Sequence, residues 1–300
     1  MQRPAARLDA LAVGVMLLLC ACWGVQQVAS KVALTQGMPP LLQALLRSAV
    51  AGPLLLAWFA ARWGRAGLAS LFARDGTLRA GLLTSVLFAL EFVLLFRGVQ
   101  RTSASRAVVL LFSGAFFTAI GAHLLVPGER LRLVNAAGLV LAFLGVAATM
   151  GNGSAGGGSL QGDAMVLGAA AAWGFTTVVV KASPRLAAAP PEKVLAYQLF
   201  GSVPILLVAA WAWGELRVPE ASVLAWVSLA YQCVVVAFAS YLTWYWLVGR
   251  YPAGRLAAFS FFTPLLGVVA AWLLLGDPLT PMLMVGLVCV GLGLHLVNRG

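Results

Sequence analysis

Arg47 and Glu91 stand inside long apolar runs of this 300-residue chain. A charge within hydrocarbon costs about 2.5–3.5 kcal/mol on insertion scales, so such a residue either works or is held by a partner. An arginine there can take a carboxylate through paired hydrogen bonds, and a glutamate can take an amine or a proton. The plainer alternative is an ion pair that ties two helices together. Sequence alone leaves both readings open. Around these two charges the spacing gathers other side chains. Phe88, Glu91, Phe92 and Leu95 share one helical face, with Ser85 below them. Tyr241, Trp244 and Tyr245 share another face at i, i+3, i+4. Trp23 and Trp173 sit in mid-run, each followed by a glycine, where they either pack closely over that glycine or wall a binding site. Gln26, Gln27, Ser30, Gln43, Thr176, Thr177, Tyr197 and Gln198 mark a polar path, which hydrogen bonding between helices would also explain. The predicted cavity set is Trp23, Gln27, Arg47, Ser85, Phe88, Glu91, Phe92, Trp173, Thr177, Tyr197, Tyr241, Trp244 and Tyr245. Pro53, Pro204 and Pro264 remove backbone hydrogen bonds within their runs and are the predicted hinges.

Other chemistry is poorly supplied. Only two histidines occur, His123 and His295, and no His-Glu-x-x-His, Gly-x-Gly-Asp or Cys-x-x-Cys pattern is present. Cys20 and Cys22 would point about 200° apart on a helix, a poor arrangement for one metal. Gly-x-Gly matches lack a strand-to-helix context, so no dinucleotide fingerprint is present. The expectation is therefore no cofactor, no metal and no enzyme. The net charge of +11 does not indicate nucleic acid, because the arginines lie singly between apolar runs. All four cysteines fall in apolar runs and read as small buried hydrophobes.

The elements that must hold these residues are membrane spans. The chain is 62% hydrophobic and 10% charged, with a mean hydropathy of +0.95. Soluble domains run at about 45–50% and about 25%. Apolar runs between charges and Gly/Pro breaks predict ten helices, near 9–31, 40–61, 79–98, 102–125, 133–150, 163–182, 193–213, 222–247, 253–275 and 280–298. The runs do not alternate, which argues against barrel strands. Little chain is left for any soluble domain. Trp58, Trp211 and Trp213 lie near the ends of their runs, as an interfacial belt would place them. With the N-terminus inside, fourteen of the twenty Lys and Arg residues fall on the inner side and five outside, Arg47 being within a span. That bias places both termini in the cytoplasm. Arg47 and Glu91 then lie at one level, roughly 10 Å below the outer end of sequential helices.

The chain repeats itself at about half its length. Trp23-Gly24 followed by Lys31 recurs as Trp173-Gly174 followed by Lys181. Pro53 matches Pro204, and Ser103-Ala-Ser-Arg106 matches Pro252-Ala-Gly-Arg255. Gly128-Glu129 matches Gly276-Asp277, and Gly138 and Gly145 match Gly286 and Gly293. The last four are spaced for packing or for a dimer contact. The expected division is 1–150, a glycine-rich linker at 151–162, and 163–300. Five helices per half is an odd number, so the second half enters from the opposite side, as in many secondary transporters. Asp9 and Asp163 stand at the starts of the first and sixth runs as expected caps.

On these motifs the chain resembles the drug/metabolite transporter superfamily, in particular its ten-span members built from two EamA repeats. The Trp-Gly…Lys pair opening each half, Arg47 early in the second run, and the Gly-acid turns carry the likeness. Within the family it is most similar to exporters of aromatic and other amino acids. The resemblance implies an all-α fold of two inverted five-helix repeats around a central cavity, with the fifth and tenth helices peripheral. It implies export without ATP, by alternating access, across a bacterial inner membrane. The implied partners are a small-molecule substrate, an amino acid or related metabolite, and the lipid bilayer. Other metabolites or cationic drugs are the alternative cargo. A monomer is compatible with this pattern, and the oligomeric state stays open. One departure is visible: Ser113-Gly114-Ala115 stands where Pro264 stands in the second half.

Overall fold

The computed structural model describes residues 9–126, 132–151, 158–248 and 262–299. Among them the chain is helical and contains no strand. The helices are α1 (Ala10–Thr35), α2 (Pro40–Leu71), α3 (Leu78–Val99), α4 (Ala104–Phe112), α5 (Gly114–Leu125), α6 (Leu133–Gly151) and α7 (Leu160–Ala182). There follow the short α8 (Pro184–Ala187), α9 (Pro191–Ala212), α10 (Val223–Ala230), a π-helix (Tyr231–Ser240), α11 (Tyr241–Val248), α12 (Phe262–Leu275) and α13 (Pro281–Arg299). Seven helical stretches among the described residues are long and apolar enough to cross a membrane. Three shorter apolar helices among the described residues, Leu133–Thr149, Phe262–Leu275 and Pro281–Gly293, accompany them.

Local chemistry explains most boundaries. The Asp9 carboxylate accepts from the Ala12 amide at 2.8 Å and caps α1. Asp163 does not cap α7. Ser159 does, accepting from the Gly162 amide at 3.1 Å, and the helix begins at Leu160. Helix α2 runs past its expected end near residue 61 and breaks at Gly64, whose φ of 64° and ψ of −164° suit glycine. The fourth apolar run is broken at Ser113, whose hydroxyl donates to the Leu110 carbonyl at 2.6 Å. Pro53 and Pro204 lie inside continuous helices on exposed faces. Pro264 is the third residue of α12. The preceding part of that predicted run (253–261), the Pro252–Arg255 stretch, the Gly128-Glu129 turn and linker residues 152–157 lie outside the described residues.

The glycines of the repeated motifs mark where helices touch. A Cβ on Gly24 would stand 2.7 Å from the Gly267 amide nitrogen, so α1 and α12 meet backbone to backbone. Gly174 likewise meets the Gly114 carbonyl and the Phe117 side chain, pairing α7 with α5. The glycines of α6 and α13 face each other: a Cβ on Gly145 would stand 2.8 Å from the Gly286 carbonyl, and one on Gly293 would stand 2.6 Å from the Gly138 carbonyl. These two helices therefore pack against one another within one chain.

Candidate functional site

Helices α1 and α2 are antiparallel and joined by a tight turn. The end of the bundle that holds this turn also holds the end of α3, because the Lys31 ammonium donates to the carbonyls of Val99 and Thr102, both at 2.7 Å. It holds the start of α10, where the Ser222 amide donates to the Gln36 carbonyl at 3.1 Å. Descending from that end, side chains form three polar layers between α1, α2 and the π-helix. In the first, the Ser30 hydroxyl donates to Gln232 Oε1 at 3.2 Å, and Gln232 Nε2 donates to Gln43 Oε1 at 3.2 Å.

Gln27 and Arg47 lie about one helical turn further in. Arg47 is 2% exposed. Its Nη2 donates to the Tyr241 hydroxyl at 2.8 Å, and its guanidinium carbon lies 4.2 Å from the centre of the Phe92 ring. Its Nη1 has no hydrogen-bond partner. Gln27 Oε1, also buried, has none either. Glu91 is buried at the same level and makes no hydrogen bond among the described residues. No ion pair joins Arg47 to Glu91, although each lies within electrostatic range of the other. The tie between helices that the sequence allowed is therefore absent. In the third layer the Trp23 indole donates to the Ser240 hydroxyl at 2.9 Å, and its ring meets Trp244 edge to face, centres 5.7 Å apart.

Buried polar groups without partners are uncommon in folded proteins. Here Arg47 Nη1 and Gln27 Oε1 are two such groups, and the buried Glu91 lies within electrostatic range of the first. A guanidinium N–H can donate to an anionic oxygen, and a carboxylate and an amide oxygen can accept from an ammonium. The walls are aromatic: Phe92, Tyr241, and one turn away Trp23 and Trp244. Phe88 extends this wall through an edge contact with Phe92, centres 4.7 Å apart.

The other predicted site residues sit elsewhere. Ser85 donates to the Gly81 carbonyl at 2.9 Å and the Tyr197 carbonyl at 2.7 Å, which fastens α3 to α9. The Tyr197 hydroxyl shares a 2.9 Å hydrogen bond with Thr77 at the far end of the bundle. Trp173 packs edge to face on Phe112, centres 5.6 Å apart. Thr177 returns its hydroxyl to the Trp173 carbonyl of its own helix. The Tyr245 side chain lies outside the described residues.

Among the described residues three ion pairs lie at the bundle ends, and sequence reasoning missed each. Glu215 accepts from Arg97 at 3.1 Å and from the Leu41 amide at 2.7 Å, so it caps α2 as well as pairing. Arg106 and Asp163 form a buried ion pair, and Thr102 adds a 2.7 Å hydrogen bond to the same carboxylate. At the opposite end the buried Lys193 meets Asp75 at 2.8 Å and the Ala73 carbonyl at 2.9 Å. The Lys193 hydrogen bond, with a second from Thr77, holds the Asp75 carboxyl well below the usual carboxylate range.

The profile of the EamA-like transporter family matches residues 10–151 and again residues 160–299. The chain is 32% identical to a protein of Salmonella typhimurium named probable amino-acid metabolite efflux pump, over 93% of this chain and 92% of that one. It is 30% identical to the Escherichia coli protein of the same name, over 93% and 92% of the two chains. It is also 30% identical to the uncharacterized transporter YvbV of Bacillus subtilis, over 92% and 88%. A crystal structure at 19% identity superposes with a TM-score of 0.66, covering 98% of this chain and all of that one. That likeness concerns the fold. The family match and the relatives' names indicate a transporter of small solutes. The chain belongs to the EamA-like transporter family.

Proposed function

We propose that this protein exports amino acids, aromatic and other hydrophobic ones among them, across a bacterial inner membrane by alternating access. The observation that carries the reading is the buried Arg47 guanidinium with its Nη1 unpaired, set between aromatic rings at the level of Glu91. A substrate carboxylate would complete that guanidinium, and Glu91 with Gln27 would take the ammonium. Phe92, Phe88, Tyr241, Trp23 and Trp244 would wall the side chain. Export as the direction is supported by the names of the relatives from Salmonella and Escherichia. In this reading the two matched stretches are inverted halves joined by a linker. Both termini lie in the cytoplasm, Pro53, Pro204 and Pro264 serve as hinges, and Trp173 and Thr177 line the path beside the site.

The test is efflux and counterflow from proteoliposomes loaded with labelled phenylalanine, methionine or a cationic dye, with and without a pH gradient. Saturable amino-acid flux is expected. Hydrogen bonds to charged groups contribute about 1.5–3 kcal/mol, so Arg47→Gln lowers amino-acid flux by about tenfold or more. Dye flux without amino-acid flux would move the cargo to cationic drugs, which need Glu91 and not Arg47. Full uphill export by Glu91→Gln would show that no coupling proton rides on that carboxylate.

A further inference from the structure

A cavity of about 260 Å³ lies away from the polar layers, between the end of α2, the start of α3 and the start of α9. Its walls are Leu71, Phe72, Leu82, Ala196 and Phe200, with Ser85, Tyr197, Lys193 and Gly201 between them. From Lys193 to Gly201 it follows α9 for about 12 Å. The polar atoms on its wall are already used. The Ser85 hydroxyl, the Tyr197 hydroxyl and the Lys193 ammonium are all bonded within the protein. The slot therefore offers hydrocarbon a surface whose polar side chains are each already bonded within the protein.

It opens outward rather than toward the Arg47 site. Leu82 is 52% exposed and Phe72 64%. The exposed stripe of α3 runs Arg79, Leu82, Leu83, Val86 and Leu90 at helical spacing, so Arg79 heads the face that borders the slot. The rim is cationic. Arg74 and Arg79 are exposed, and the exposed Arg185 lays its guanidinium over Gly76. Of the nearby acids, Asp75 is engaged by Lys193, leaving Glu192 against three arginines. An apolar slot at lipid level, headed by arginines at a helix end, matches a chain-bearing molecule with an anionic head.

We propose that this slot holds one acyl chain of an anionic glycerophospholipid, whose phosphate rests on Arg79 and its arginine neighbours. The site is distinct from the substrate site and does not depend on what the protein transports. A cation near an anionic lipid surface contributes about 1 kcal/mol, or about fivefold in affinity.

The test is native mass spectrometry of the full chain released from mixed phosphatidylglycerol and phosphatidylcholine vesicles. Wild-type protein is expected to retain phosphatidylglycerol at least about fivefold over phosphatidylcholine. Arg79→Gln should lower that preference about fivefold. Leu82→Trp, a change on an exposed position, should fill the slot and lower retention of both lipids. Thermal melting of both variants in detergent shows that they fold. Equal retention of the two lipids by the wild type, or a preference untouched by both variants, overturns the proposal. Glycerol 3-phosphate added in solution should not compete, because it has no chain; competition by it would assign the arginines to a soluble anion and likewise overturn the proposal.

Discussion

At the scale of single residues, most buried charges are met by counter-charges from distant parts of the chain. Lys193 is buried, and Asp75 supplies its counter-charge from an exposed turn. A carboxyl held below its ordinary range stabilises the fold fully above its unfolded pKa, about 3.9, and loses that contribution as pH falls toward the folded value. The difference in melting temperature between wild type and Asp75→Asn should therefore stay flat from about pH 7 to 5 and shrink only below about 4. A difference that fades between pH 7 and 5 would mean that Lys193 does not hold this carboxyl. The same scale explains what the sequence disclosed. Arg47 and Glu91 stood out because a charge in an apolar run is costly wherever it folds. Their environment did not, because Tyr241 reaches Arg47 across 194 positions of sequence. Asp163 read as a cap since it stands at a helix start, where a carboxylate serves as well for capping as for pairing. The Arg106 partner could be located only by folding.

At the scale of elements, small residues decide which helices can approach. The glycines of α6 and α13 were visible from their sevenfold spacing, which left a contact within the chain and a contact between chains equally open. The chain resolves this by packing the two helices on each other. A Cβ on Gly286 would collide with Thr149 and stand 2.8 Å from the Gly145 carbonyl. Gly286→Val should therefore force the helices apart and destabilise the protein by about 1–3 kcal/mol. At Gly14, in α1, a Cβ would meet nothing within 4 Å, so Gly14→Ala should be neutral or stabilising by up to about 1 kcal/mol. Thermal unfolding in one detergent compares the two, and equal losses would remove the packing argument. The π-helix was not legible. Tyr231–Ser240 carries no proline or glycine to announce a change of winding. The segment is tied to α1 and α2 by contacts distant in sequence: Gln232 to Ser30 and Gln43, Tyr231 to the Cys22 carbonyl, and Ser240 to Trp23.

At the scale of the whole molecule, cross-links among the described residues gather at one end of the bundle. Arg97–Glu215, Arg106–Asp163, Ser105–Asp277 and Gln36–Ser222 all lie at the end that holds the α1–α2 turn. The opposite end holds Lys193–Asp75 and Thr77–Tyr197. Which side of the membrane the first of these ends faces decides whether its contacts belong to the outer or the inner side. The arginines of the 62–79 stretch lie at the opposite end, which the charge bias assigns to the cytoplasm. Exposed Arg217 and exposed Arg74 mark the two ends, and the native cysteines lie within helices, buried or half-buried. In intact cells a membrane-impermeant maleimide should label Arg217→Cys, and should label Arg74→Cys only after lysis. With that result the crowded end faces outward, and the release step of the proposed export cycle lies at the end that holds the Arg97–Glu215 and Arg106–Asp163 pairs. The reverse pattern would turn the bundle over and put those pairs on the cytoplasmic side, where the proposed cycle loads its substrate.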